Sequence, residues 1–231
     1  MTPNDIITVV KRLIQDNQLL RTPTEYIDGS LLDFVNQTIN QAAILRPDLF
    51  SHTTDIATTA DTVVQSLPSD GIRLLDIFYV KGGNSVTETD RETMERSYPG
   101  WASDPSGVPV NFMRNVKNAT QYFLYPAPAA GVVLVGEYAK SPPAYTADQT
   151  IEMLPDVYSP ALVAGTIAHV LSVDAQGNEI ASSATVGGTY ATRPATAEAY
   201  LERFAQLMGA SLQNRTVTDT KQAGIEGGTV I

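Results

Sequence analysis

The segment from residue 121 to residue 143 constrains the fold most, because it predicts two β-strands joined by a turn. Residues 122–125 are aromatic or apolar, and such residues favour a half-buried sheet. Pro126 and Pro128 end this run because proline cannot donate to a strand ladder, and Gly131 lets the chain turn back. We therefore expect an antiparallel hairpin. In its second strand one face is formed by Val132, Leu134, Gly136 and Tyr138, and the other by Val133, Val135 and Glu137.

Two helices are predicted before this hairpin. The first begins with Thr2 as its cap and a proline at the first helical position. The second begins near residues 28–30, where Ser30 and Asp33 can form a capping box, and it ends at Pro47. Apolar residues at helical spacing mark the buried faces. They are Ile6, Val9, Val10, Leu13, Ile14, Leu31, Phe34, Val35, Ile39, Ala42 and Leu45.

Two more helices are predicted after the hairpin. The third opens at residues 154–156, and the fourth runs from near Pro194 to about Asn214. Between them, residues 177–192 are rich in small and polar residues and predict an exposed loop. The expected apolar faces contain Val157, Leu162, Val163, Ile167, Val170 and Leu171, then Ala197, Tyr200, Leu201, Phe204, Leu207 and Met208. Small residues that allow close helix packing are Ala161, Ala164, Gly165 and Ala168.

A β-rich region is predicted between the two helical regions. A turn at residues 81–84 should return the strand 72–80 as a hairpin, and Asp90 should cap a short helix that ends at Ser97. We expect Trp101 to be a buried anchor against strand 72–80. The predicted strands are residues 61–65, 72–80, 86–89, 108–113, 120–125 and 132–139.

These elements predict an α+β protein, with a helical bundle of about four helices and an inserted antiparallel β-sheet or sandwich domain. The bundle combines an N-terminal pair with a C-terminal pair of helices. The predicted parts are residues 1–54 for the first helices, 55–150 for the β-rich domain and 151–214 for the last helices. Residues 215–231 have too few apolar residues to build a core and are expected to form an extended C-terminal arm.

The amino-acid composition excludes several kinds of function. The chain has 25 acidic and 15 basic residues, a formal charge of −10, which disfavours binding to a phosphate backbone. Charged residues make up only 17%, which fits either a Thr- and Ala-rich chain or a surface used in subunit contacts. There is no cysteine, so disulfides and thiolate metal sites are excluded. The sequence has neither a membrane-spanning apolar run nor a signal-peptide pattern, so we expect a soluble, non-exported protein.

No catalytic, cofactor-binding or metal-binding residue is assigned. His52 and His169 lie far apart and lack a partner at ligand spacing. The glycine pairs at residues 82–83 and 187–188 lack the context of a phosphate-binding loop, and no serine nucleophile motif occurs. The acid pairs, Glu88 with Asp90 and Glu92 with Glu95, are expected to be solvated. Lys11-Arg12 is the only adjacent basic pair. We therefore predict that the protein is not an enzyme.

The order of several short strings resembles the head-to-tail adaptor (connector) proteins of short-tailed bacteriophages. The resemblance spans roughly residues 4–214. The strings are Arg46-Pro-Asp-Leu-Phe50, Gln65-Ser-Leu-Pro-Ser-Asp-Gly-Ile-Arg-Leu-Leu-Asp76, Asp90 with Tyr98-Pro-Gly-Trp101, Phe123-Leu-Tyr-Pro-Ala-Pro128, Tyr138 with Ser141-Pro-Pro143, and Leu154-Pro-Asp-Val-Tyr158.

This resemblance implies a structural virion protein, assembled in the host bacterial cytoplasm, that acts at the head-to-tail interface. It would form a homo-oligomeric, twelvefold ring that binds the portal protein and the tail nozzle or tube protein. DNA would pass through an acidic channel without specific binding, and neither a cofactor nor a membrane would be involved. Two other classes stay open: a non-catalytic module that binds sugar or protein through its β layer, and a small hydrolase.

Overall fold

The structure, a computed structural model, describes residues 1–16, 28–181 and 193–209, and it combines helices with two β-sheets. The α+β class predicted from the sequence is confirmed. The helices are α1 (Pro3–Asp16), α2 (Asp28–Leu45), α3 (Arg91–Ser97), α4 (Ser159–Ala181) and α5 (Arg193–Leu207). The strands are β1 (Ser51–Ala57), β2 (Val64–Ser66), β3 (Gly71–Val80), β4 (Thr87–Glu88), β5 (Asn111–Arg114), β6 (Gln121–Tyr125) and β7 (Val133–Lys140). Short 3-10 helices cover Pro47–Phe50, Trp101–Ser103 and Asp156–Tyr158.

A capping pair explains where α1 begins. The Thr2 N–H donates to Asp5 Oδ2 at 2.7 Å, and the Asp5 N–H donates to Thr2 Oγ1 at 3.3 Å. This reciprocal pair confirms the predicted start of α1. The second helix also begins where predicted, at Asp28. Ser30 lies inside α2, however, so the expected capping box of Ser30 and Asp33 is wrong.

Helices α1, α2, α4 and α5 share one hydrophobic core, in which α4 contacts the other three. Residues 161–168 of α4 are all buried, because small side chains alternate with large apolar ones and neighbouring helices approach closely. The predicted faces are largely confirmed, although Val157, Leu201 and Leu207 are exposed instead. The main buried residues are Ile6, Val10, Val35, Ile39, Leu162, Ile167, Val170, Leu171, Phe204 and Met208.

Two predicted helix boundaries are wrong. Helix α4 continues to Ala181, so residues 177–181 of the expected loop are helical, and residues 182–192 lie outside the described part. Helix α5 ends at Leu207 rather than near residue 214. Gly209 has a positive φ of 73°, a conformation that stops a right-handed helix and suits glycine. The expected arm at residues 215–231 also lies outside the described residues.

The strands form two sheets that pack face to face. One has the order β1-β7-β3 and the other β2-β6-β5-β4. Their inner faces enclose a second hydrophobic core, which is separate from the helical one. It contains Ile56, Leu67, Leu74, Ile77, Val80, Val86, Phe112, Tyr122, Leu124, Leu134 and Tyr138.

The hairpin expected at residues 121–143 is wrong, because β6 and β7 belong to different sheets. Strand β6 pairs with β2 and β5, while β7 pairs with β1 and β3. Each strand already has a partner on both sides, so neither has an edge left for the other. The faces predicted for β7 are confirmed, since Leu134, Gly136 and Tyr138 are buried and the alternate residues are half-buried.

The remaining strands differ from the prediction in pairing and in length. After the turn at residues 81–84 the chain pairs back briefly, through a Tyr79–Ser85 bridge and bonds from Val80 N–H to Asn84 O and from Val86 N–H to Phe78 O. Strand β4 then pairs in parallel with β5 in the other sheet. The strand expected at residues 61–65 is reduced to Val64–Ser66. Strand β1 was missed, because its residues are polar and mostly exposed.

Candidate assembly surfaces

Both histidines pack against aromatic rings. His52 is exposed on β1, with its ring edge-on to Tyr138 at 5.8 Å. His169 on α4 stacks on Phe34 of α2 at 6.2 Å, and its buried Nε2 has no hydrogen-bond partner within the described part of the chain. Burial lowers the pKa of His169 below its ordinary value. Among the described residues, no group of three or more His, Asp or Glu side chains is placed to hold a metal ion.

Three of the four acids that could suggest glycosidase chemistry have structural partners. Glu88 accepts from the guanidinium of Arg114, and Asp90 caps α3 by accepting the Thr93 N–H at 3.1 Å. Glu95 pairs with Arg91 one helical turn away, at 2.7 Å. Such contacts organise a surface helix and a sheet edge, and they explain these acids without a reaction.

The glycine pair at residues 82–83 shapes a turn. Gly82 adopts a positive φ of 74°, and the neighbouring Lys81 ammonium pairs with the Asp55 carboxylate of β1. The turn follows strand β3 and is not followed by a helix that could bind a phosphate. The second glycine pair, at residues 187–188, lies outside the described residues.

An aromatic cluster covers the outer face of the four-stranded sheet. The connection from β4 to β5 carries α3 and the turn Trp101–Ser103 across this face. Trp101 is only 6% exposed, and its ring stands edge-on to Phe123 at 6.3 Å and to Tyr125 at 6.5 Å. Trp101 is therefore a buried anchor as expected, but its ring contacts lie on β6 rather than on strand 72–80. The parallel β4–β5 connection, which the sequence did not reveal, places it there.

Asp104 fastens this cluster by accepting hydrogen bonds from two tyrosines. The hydroxyl of Tyr98 donates to Oδ1 at 2.9 Å and that of Tyr125 donates to Oδ2 at 2.8 Å. These bonds raise the pKa of both phenols, because the neutral phenol is the donor. Since the Trp101 ring is covered by its own chain, it offers no free face on which a sugar could stack.

Three exposed apolar side chains lie near the ends of α2 and α5 and just before the start of α4. We call Ile44, Val157 and Leu207 the helix-end patch; they are 68%, 75% and 42% exposed. The Arg46 side chain interacts with Tyr158 and Met208. Ile44 is two residues from Arg46, Val157 is next to Tyr158, and Leu207 is next to Met208. These exposed apolar side chains are candidates for a surface that another protein covers.

Arg46 holds this end of the helical layer together. Its guanidinium donates to both carboxylate oxygens of Asp48, at 2.9 and 2.6 Å, and to the Met208 carbonyl at 2.7 Å. The last contact satisfies a backbone acceptor at the end of α5. The hydrogen bonds from Arg46 lower the pKa of Asp48. Sequence reasoning missed this group, because Arg46 and Met208 are 162 residues apart.

In the described ranges, every helix is too short or too polar to cross a lipid bilayer.

The sequence profile of one family, described as SU10 adaptor protein, matches residues 1–225 of the chain. No curated protein matches it.

Proposed function

The chain belongs to the SU10 adaptor protein family, and we propose that it forms a ring beneath a phage portal and joins the portal to the tail. Membership makes it a structural adaptor component of a phage virion. The observation that carries the proposal is the match over residues 1–225, which includes the helices, both sheets and most of the C-terminal segment.

Ring formation rests on contacts between different surfaces of neighbouring copies, which close when the rotation permits. The helix-end patch supplies an apolar surface for such a contact, and 17% charged residues leave much of the chain suited to burial. We propose twelve copies in the ring. Assembly takes place in the host cytoplasm, before the tail joins.

Different parts of the chain have different roles in the adaptor. Residues 1–54 and 151–214 act as one bundle of four helices that packs against the portal. Residues 55–150, with the two-sheet sandwich, face the tail nozzle or tube protein. Residues 215–231 form an arm that orders on assembly. Neither a cofactor nor a catalytic residue has a part in this function.

The charge of the chain suits a channel for DNA. A formal charge of −10 on each copy repels the phosphate backbone, so a passing duplex does not adhere to the wall. The ring therefore conducts DNA without binding it. This predicts no measurable duplex binding by the assembled protein at physiological salt.

The decisive experiment is a particle-mass measurement, made on the protein alone and after mixing with the portal protein of the same phage. We expect a closed ring of defined copy number on the portal. A protein that stays monomeric at every concentration, with and without the portal, would contradict the proposal.

A further inference from the structure

The two edges of the three-stranded sheet differ in how their backbone groups are satisfied. On the β3 edge, the Arg114 guanidinium donates to the carbonyl oxygens of Leu74, at 2.9 Å, and of Leu75. The Leu74 N–H donates to Ala119 O at 3.3 Å, and Phe78 O accepts from the following segment. The β3 edge is thus closed by residues of the chain itself.

The opposite edge, β1, is open within the described part of the chain. Its seven residues pair with β7 in unbroken register, from Ser51 opposite Ala139 to Ala57 opposite Val133. Five of the seven are exposed, and the described residues make no hydrogen bond to the outer backbone of this strand. It carries no proline, lysine or bulge, which are three of the devices that usually prevent an edge from pairing, and its one acidic residue, Asp55, is ion-paired with Lys81.

The other free edges are too short to compare with β1. Strand β4 has two residues and β2 has three, whereas β1 spans about 20 Å at the usual rise of a strand. A regular, solvent-facing edge of this length is a template for one more antiparallel or parallel strand.

We infer that the β1 edge receives a strand from the C-terminal segment, residues 210–231, of a neighbouring copy in the ring. This inference rests on the proposed ring. The segment contains Thr216-Val-Thr218 and Thr229-Val-Ile231, two triplets that favour strands. The residue before this segment, Gly209, lies beside the Arg46 side chain, and Arg46 precedes β1 by only a few residues.

Length and symmetry allow a neighbouring copy to supply the strand. The segment of 22 residues (231 − 209) reaches about 70 Å when extended, which exceeds the width of one compact chain of this size. Every copy offers one edge and one segment, so passing each segment to the next copy satisfies all edges and closes with the ring. Tethering raises the effective concentration, so a short strand pairing is sufficient.

Cysteine cross-linking tests this pairing cleanly, because the chain has no cysteine of its own. One protein carries Thr53→Cys on β1, and a second, tagged protein carries Val217→Cys or Val230→Cys. The two are mixed under reducing conditions, assembled and oxidised. We expect a disulfide between tagged and untagged copies for at least one of the two positions. Val116→Cys, on a fully exposed turn between β5 and β6, replaces Thr53→Cys in the control and should not cross-link.

The outcomes separate this inference from the proposed function. A ring of correct mass without the cross-link, or with equal cross-linking to Val116→Cys, overturns the strand pairing and leaves the adaptor ring intact. A chain carrying both Thr53→Cys and the C-terminal cysteine that forms only an intrachain disulfide also overturns it, because the segment then pairs with its own β1. If no ring forms, both proposals fail.

Discussion

Gly165 of α4 faces Thr38 of α2 so closely that a Cβ on Gly165 would stand 2.5 Å from Thr38 Cγ2. The same Cβ would lie 3.1 Å from the Phe204 ring of α5. Three helices therefore meet at a position where only a hydrogen fits. Thr38 is fixed there, because its hydroxyl donates to Phe34 O at 2.8 Å and lies 3.4 Å from that of Thr166.

We predict that Gly165→Ala lowers the free energy of unfolding by about 1–3 kcal/mol, the usual cost of overpacking a core. The better helix propensity of alanine offsets only about 1 kcal/mol of the clash. Denaturant unfolding measures the difference. Gly100→Ala is the matched control, since a Cβ there meets nothing within 4 Å and should leave stability unchanged. Adding Thr38→Ser, which removes the crowding methyl group, should restore part of the loss.

Tyr122 and Tyr138 provide a second test, because both rings lie in the sandwich core but only one hydroxyl is satisfied. The Tyr138 hydroxyl donates to Asp70 at 2.9 Å, whereas the buried Tyr122 hydroxyl has no partner among the described residues. Burial raises the pKa of Tyr122, because removal from water disfavours the charged phenolate. We expect Tyr122→Phe to leave stability unchanged or raise it by about 1 kcal/mol, and Tyr138→Phe to lower it by about 1 kcal/mol. Equal losses in both variants would show that the Tyr122 hydroxyl is bonded.

The pH dependence of stability should report the buried His169. Its folded-state pKa lies below the ordinary value of 6.5, so the unfolded chain binds the proton first as the pH falls. The free energy of unfolding should therefore decline below about pH 6.5, until the folded-state pKa is reached. His169→Phe keeps a ring against Phe34 and should flatten this decline. The same change at the exposed His52 should leave the decline in place, and a parallel effect of both variants would rule out His169 as its source.

Local signals predicted the elements, and long-range pairing decided how they combine. Asp90 caps α3 as its sequence indicates, because the cap bonds an amide only three residues away. The separation of β6 from β7 could not be foreseen, since it depends on β1 and β3 occupying both sides of β7. The helix-end patch was hidden for a similar reason. The spacing of Val157 and Leu207 fits the predicted apolar faces of the third and fourth helices, but both are exposed in the structure, where Val157 lies in the 3-10 helix before α4.

The helix-end patch leads to the prediction that concerns assembly. Ile44→Asp and Val157→Asp place a charge on side chains that are 68% and 75% exposed, so neither should change the melting temperature of the isolated chain by more than about 2 °C. Burying that charge in a contact is costly, so both variants should weaken association with a neighbouring copy or with the portal by at least tenfold. Particle-mass measurements across a dilution series give the association directly. Val116→Asp, on a 98% exposed valine outside the patch, should assemble like the parent protein. Assembly of the Ile44 and Val157 variants at the parental concentration would show that the patch stays outside every contact.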